Sequence, residues 1–142
     1  MGPSDVPIGL LVSRTAKTLS RAFDDALAGA GGSTPTWLVL LSLKTGGHLT
    51  QGELAEAVGV RGPTLTHHLD GLERAGLITR ERDPGNRRVQ VVAMTEAGEQ
   101  LFLRLRRAAA SFDGRLHAGL DDEDVAHLRR VLAQMVENSQ PD

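Results

Sequence analysis

Arginines gathered around a tight turn are the first feature of this chain that points to chemistry. Arg82, Arg87 and Arg88 surround the pair Pro84-Gly85, which reverses the backbone because Pro fixes one turn dihedral and Gly tolerates the next. A guanidinium is always charged and presents its donors as a planar fork that matches phosphate. Held out on a narrow projection, such groups suit the minor groove of a duplex, where the potential is negative. Upstream, Thr64, Thr66 and His67 are short polar side chains of the kind that reach base edges. A single surface arginine is most often a solvated charge, so the argument rests on where these groups stand together.

Their position depends on the elements around them. Thr50 and Glu53 have the capping-box spacing and open a short helix from Thr50 to Val58, closed by Gly59. A second helix runs from about Gly62 to Ala75, with Leu65, Leu69 and Leu72 on one face and Gly76 as its stop. Each residue advances about 100°, so the leucines face inward. His67, Asp70 and Arg74 then point away from them, with Thr64, Thr66 and Gly71 on the flanks. These outward residues are small or polar, which lets the helix backbone approach a major groove about 12 Å wide. Asp70 is expected to face a base or solvent, since phosphate repels it, and His68 to pack or meet a phosphate. Residues 77–82 and 89–94 alternate and are rich in β-branched types, which predicts a β-hairpin around Asp83-Pro84-Gly85-Asn86-Arg87. Two helices joined by a Gly-containing turn and followed by a hairpin form a winged helix-turn-helix.

Helices flank this unit. Ile8, Leu11, Val12, Leu19, Phe23 and Leu27 recur at helical spacing and end at Gly29, Gly31 and Gly32. Ser33-Thr34-Pro35 restarts a helix whose Trp37, Leu38, Leu40, Leu41 and Leu43 predict burial. Thr95 caps a long helix striped with Leu101, Phe102, Leu105, Ala108, Ala109, Phe112 and Leu116. Asp121 caps a last one carrying Val125, Leu128, Val131, Leu132 and Met135. The acids from Asp121 to Asp124 suit a helix N-terminus. The fold class is therefore mainly α with a small β-hairpin wing. Residues 33–95 form the winged helix-turn-helix, and residues 1–32 with 96–142 a helical dimerisation region. The first, fifth and sixth helices carry more apolar surface than one small winged helix can cover, so a second copy is expected to bury it.

Leu49-Thr50-Gln51-Gly52-Glu53-Leu54-Ala55, Leu72-Glu73-Arg74-Ala75-Gly76-Leu77-Ile78-Thr79-Arg80 and the run from Asp83 to Gly98 resemble the MarR family of bacterial transcription regulators. The resemblance implies a sequence-specific DNA-binding regulator of the repressor kind. It implies a homodimer with intertwined terminal helices on a pseudo-palindromic operator, the helix 62–75 in a major groove and the wing in a minor groove. It implies DNA contacts from Gln51, Arg61, Thr64, Thr66, His67, Arg74, Asn86, Arg87 and Arg88. The family's wing arginine falls on Arg88. Where the family commonly has Asp, this chain has Asn86, which removes a charged partner for Arg88 but keeps a hydrogen-bond acceptor. The resemblance also implies release by a small aromatic or phenolic effector, with Arg14 toward an anionic group and Trp37 and Phe102 as aromatic walls.

Composition narrows the alternatives. The chain has 142 residues, 24% of them charged, and no Cys. The missing cysteines exclude a disulfide framework, a thiolate zinc site and a thiol redox sensor. The net charge of −2 hides an uneven spread: Arg61 to Val92 holds six arginines against four acids, and Ala93 to Asp142 six against nine. A basic patch can meet phosphate on an acidic chain, because binding responds to the local field. No apolar run approaches a membrane span, and the first residues, Met-Gly-Pro-Ser-Asp, lack a basic signal-peptide start. A cytoplasmic protein with no cofactor and no membrane contact is the expectation. No phosphate loop, HExxH or GxSxG is present, so an enzyme is not expected. Two alternatives remain. One is a winged helix used only for protein contact, which has no need of arginines at the tip. The other is a metal-responsive regulator, for which Asp113, His117 and His127 are a weak set without cysteine or a tight His cluster.

Overall fold

The computed structural model describes residues 5–142; the signal-peptide reading of Met1 to Ser4 lies outside them. The elements are α1 (Ile8–Gly29), α2 (Thr34–Gly46), β1 (Leu49–Thr50), α3 (Gln51–Val58), α4 (Gly62–Arg74), β2 (Ile78–Asp83), β3 (Asn86–Met94), α5 (Glu96–Leu116) and α6 (Asp122–Ser139). The expected fold class is what the structure has: helices with a small antiparallel sheet. By compactness the chain divides into Met1–Ala109 and Ala110–Asp142, a boundary that falls within α5.

Local sequence explains the helix starts. The Ser33 hydroxyl accepts a bond from the Thr36 N–H and opens α2, with Pro35 in the first turn. Thr50 and Glu53 form the reciprocal capping box of α3. Thr95 receives the Gly98 N–H at 3.1 Å and donates to the Gly76 carbonyl at 2.7 Å, so one hydroxyl starts α5 and ties it to the end of α4. Gly98 must be glycine for this junction: a Cβ there would stand 2.2 Å from the Leu77 carbonyl oxygen.

The core of the first unit is aliphatic except for Phe102. Leu27 of α1, Val39, Leu40 and Leu43 of α2, Leu54 of α3 and Leu65, Leu69 and Leu72 of α4 meet Ile78, Val92, Leu101, Phe102 and Leu105. Each buried leucine contributes roughly 1.5–3 kcal/mol relative to exposure, so the α4 stripe fixes which face of that helix remains outside. In α2 burial is narrower than the composition predicts. Val39, Leu40 and Leu43 are buried, while Trp37, Leu38 and Leu41 are only half-buried.

The sheet departs from expectation in two ways. A third strand, β1, adds itself to the hairpin, giving the order β1-β3-β2 with all pairs antiparallel. Two residues are too short to show a period-2 pattern, so the hydrophobic pattern gave no sign of it. The wing strands also run further than 77–82 and 89–94, leaving Pro84-Gly85 as the whole turn between Asp83 and Asn86.

In the second unit, α6 starts on a capping box in which Asp121 and Asp124 each accept the other's backbone N–H. No residue of α6 is buried. Among the described residues no single helix is long and apolar enough to cross a membrane.

Candidate nucleic-acid interface

The helix-turn-helix is assembled from short-range signals. Glu53 of the capping box is held below the ordinary carboxylate range, first by the Thr50 backbone N–H and then by its hydroxyl. Gly59 adopts a left-handed conformation, φ 76°, and its N–H closes α3 on the Ala55 carbonyl. The chain leaves this turn extended at Arg61, the N-cap of α4, which supplies no side-chain cap. Free N–H groups and the helix dipole therefore make the start of α4 favourable to an anion, and Arg61 stands exposed beside it.

The buried leucines turn the opposite face of α4 outward. Thr64, His67, Gly71 and Arg74 are exposed, and Thr66, His68 and Asp70 half-buried. No described atom lies within 4 Å of where a Cβ on Gly71 would stand, which leaves room for close approach there. Thr66 is less free than a surface threonine: its hydroxyl donates to the Gly62 carbonyl at 3.0 Å and accepts from Gln51 Nε2 at 2.8 Å. Gln51 and Thr66, predicted separately, form one contact between α3 and α4. His67 and His68 lie with ring centroids 6.1 Å apart. Arg74 donates from Nε to the Asp70 carbonyl at 3.3 Å.

Asp70 does not face a base or bulk solvent alone. Its carboxylate accepts from Arg80 at 2.6 Å, and the same guanidinium nitrogen reaches Glu73 at 3.0 Å. Arg80 lowers the Glu73 carboxyl below its ordinary range. In return Glu73, and then Asp70, raise the guanidinium. Arg80 appears in the sequence only within the stretch that carries the family resemblance. Its pairing depends on where β2 runs against α4, which no local pattern reports.

At the wing tip the strand register breaks. Arg82 pairs with Gln90, but the next residue, Asp83, pairs with Asn86. Arg87, Arg88 and Val89 therefore stand between the two registers without a partner on β2, an enlarged bulge of the kind that re-aims side chains. Three bonds hold it. Asp83 Oδ1 accepts the Gly85 N–H at 2.9 Å, Asn86 Oδ1 accepts the Arg88 N–H at 3.2 Å, and the Arg82 guanidinium donates to the Arg87 carbonyl at 2.9 Å. Asn86 thus shapes the backbone beneath Arg88. The side chains of Arg87 and Arg88 are left exposed, and Arg82 is a brace for the tip.

The candidate effector residues lie elsewhere. Arg14 is exposed on α1. Trp37 and Phe102 stack on each other, 5.5 Å between centroids and 8° from parallel, with Phe102 buried. Lys44 and Arg106 approach the Phe102 ring to 6.0 and 5.7 Å. In the second unit His117 Nδ1 lies 2.7 Å from the Asp113 carbonyl oxygen, a local helix contact.

Comparison with known proteins agrees with this geometry. Residues 33–89 match the MarR family. The HTH-type transcriptional regulator YwoH of Bacillus subtilis (strain 168) is 28% identical over 126 residues, which span 87% of this chain and 91% of its own. Among solved structures, the transcriptional repressor CouR, bound to a 23-mer DNA duplex, is similar with a TM-score of 0.86 at 26% identity, over 96% of each chain. A MarR-family regulator from Rhodococcus sp. RHA1 gives 0.79 at 28% identity, over 95% of each chain.

Proposed function

The chain belongs to the MarR family of transcription regulators, and from that premise we propose that it is a repressor binding a pseudo-palindromic operator as a homodimer. The observation that carries this reading is the wing tip. A register break held by three hydrogen bonds leaves Arg87 and Arg88 exposed, on the hairpin that follows a helix with an open polar face. Such a bulge re-aims side chains at a sheet edge, here two adjacent arginines beside a helix with a polar outer face. Duplex DNA fits this arrangement, since phosphate contacts position a protein and groove contacts specify sequence. CouR, which has the same fold, was solved on a DNA duplex, and that supports the same partner here.

In this reading α4 enters the major groove. Thr64 and His67 reach base edges, while Gln51 and Thr66 work as a pair whose remaining acceptor and donor capacity faces the groove. Arg61 and Arg74 meet phosphates at the two ends of the helix. Arg87 and Arg88 enter the adjoining minor groove, with Asn86 setting their backbone. Two copies present two such helices, so half-sites lie about 10 bp apart or a multiple of that.

The second copy covers the apolar surface that the chain leaves open. Ile8, Leu10, Leu11 and Leu19 of α1 and Leu128, Leu132 and Val136 of α6 are all more than a third exposed. A small aromatic or phenolic effector that uses Trp37 and Phe102 meets them as a stack, with Arg14 for an anionic group. The protein acts in the cytoplasm and carries no enzymatic activity.

Titration of genomic promoter fragments against rising salt tests the reading. A DNA reader loses affinity steeply as counterion release becomes less favourable. A protein-contact module shows no such slope. If no fragment binds at low salt, the reading fails.

A further inference from the structure

The outward face of α4 contains two residues that a DNA reader should not want. Asp70 and Glu73 place carboxylates within two turns of His67, where phosphate approaches. Both are bound by Arg80 of β2, at 2.6 and 3.0 Å. The burial is uneven: the Arg80 side chain is 14% exposed, Asp70 48% and Glu73 42%. The guanidinium is therefore the enclosed member and the carboxylates clasp it from one helix. One guanidinium nitrogen held between two carboxylates three residues apart on the same helix is fixed at a single point, which sets where β2 stands against α4. The span it closes includes the only covalent link from α4 to the wing, Ala75-Gly76-Leu77.

We propose that Arg80 is a positioning residue that locks the wing strand β2 to α4, and that Asp70 and Glu73 serve this lock. The tip arginines and the α4 face can bind one duplex only if their separation is set beforehand. Ile78 and Val92 anchor the base of the hairpin in the core, and Arg80 adds a second fixed point further along β2; without it the remaining freedom of the outer strand has to be lost on binding, at an entropic cost. Exposed ion pairs add little to global stability, so the contribution expected of this cluster is to orientation. The DNA part of the inference rests on the function proposed above.

The test uses the full chain and has two arms. The first is amide hydrogen exchange on free protein, which requires no DNA. Arg80→Gln and the double variant Asp70→Ala/Glu73→Ala should both speed exchange across β2 and β3 while amides of α2 keep their protection. Arg80→Lys, which keeps the charge but replaces the guanidinium with a shorter, more strongly hydrated ammonium, should fall between. Alanine preserves helix propensity in α4, so fraying does not mimic the result. The second arm is DNA affinity of the double variant, where charge and position predict opposite signs. Removing two negative charges beside phosphate should tighten binding if charge alone matters. Loss of the lock should weaken it, on the order of tenfold, as for contacting residues uncoupled within one network. Unchanged wing exchange in Arg80→Gln, or tighter DNA binding by the double variant, overturns the proposal. A wild-type chain that binds no DNA defeats the functional reading instead, and the exchange arm still decides whether the lock exists.

Discussion

Helices α4 and α6 carry the same kind of apolar stripe, and only α4 buries it. Leu65, Leu69 and Leu72 of α4 are 0, 0 and 8% exposed, whereas Leu128, Leu132 and Val136 of α6 are 51, 39 and 61% exposed. Both helices have the 3.6-residue spacing that demands a covered face. The difference lies in what supplies the cover. For α4 it comes from the same chain, which fixes the opposite face outward and makes that face usable for recognition. The α6 stripe stays exposed among the described residues, and the proposed dimer is the arrangement that would cover it.

The largest effect expected from this contrast is on stability. Leu69→Ala should cost about 2–5 kcal/mol in chemical denaturation, as deletion of a fully buried leucine does. Leu128→Ala, an equal chemical change, should stay within about ±0.5 kcal/mol for the dilute chain, as surface substitutions do. The α6 effect should emerge in assembly. Sedimentation of Leu128→Ser/Val136→Ser should show a lighter species than wild type at the same concentration. A mass that does not change removes α6 from the dimer, and a stable Leu69→Ala variant removes the distinction between the two stripes.

DNA binding should divide the two regions next. His67→Ala should alter preference at one base position per half-site, by about 1–3 kcal/mol for a direct base contact. Arg88→Ala should weaken all sequences alike and lower the salt slope by about 1. Arg129→Ala in α6 should do neither. Equal loss on every sequence for His67→Ala would place it on the backbone, and an unchanged salt slope for Arg88→Ala would take the wing out of the mechanism.

What the sequence made legible follows from the range of each signal. The α4 stripe, the Thr50 and Glu53 box, the Thr95 cap and the hairpin were readable because their partners lie within a turn or two of the same element. The contacts of Arg80 and Arg82 were not, although Arg82 itself stood out beside the turn. Arg80 acts across α4 and β2, and Arg82 acts across a register break that depends on both strands at once. Asp70 was legible only in part for the same reason: periodicity places it outward, where it is half-exposed, and only the path of β2 supplies its partner. The bulge also changes the meaning of Asn86. Considered as a substitute for an acid, it is a lost charge beside Arg88. In the folded wing it accepts the Arg88 N–H, a role that an amide oxygen can fill without the charge of a carboxylate.

The smallest effect concerns the two capping boxes, one in each region. Thr50 holds the Glu53 carboxylate below its ordinary range through backbone and hydroxyl donors. A depressed carboxylate contributes its full stabilisation above the ordinary glutamate value, about 4.3. That contribution is lost as pH falls through the depressed one, because protonation removes the acceptor charge. Protection of the first α3 amides, corrected for intrinsic exchange, should therefore be constant from pH 7 to 5 and decline below that, by a factor of a few at most. Glu53→Gln keeps an acceptor for the Thr50 N–H and cannot titrate, so its protection should start slightly lower and stay flat across the same range. A parallel decline in Glu53→Gln would mean that α3 loosens with the whole fold in acid, and that its N-terminus is held by the α2 and α4 packing rather than by its own box.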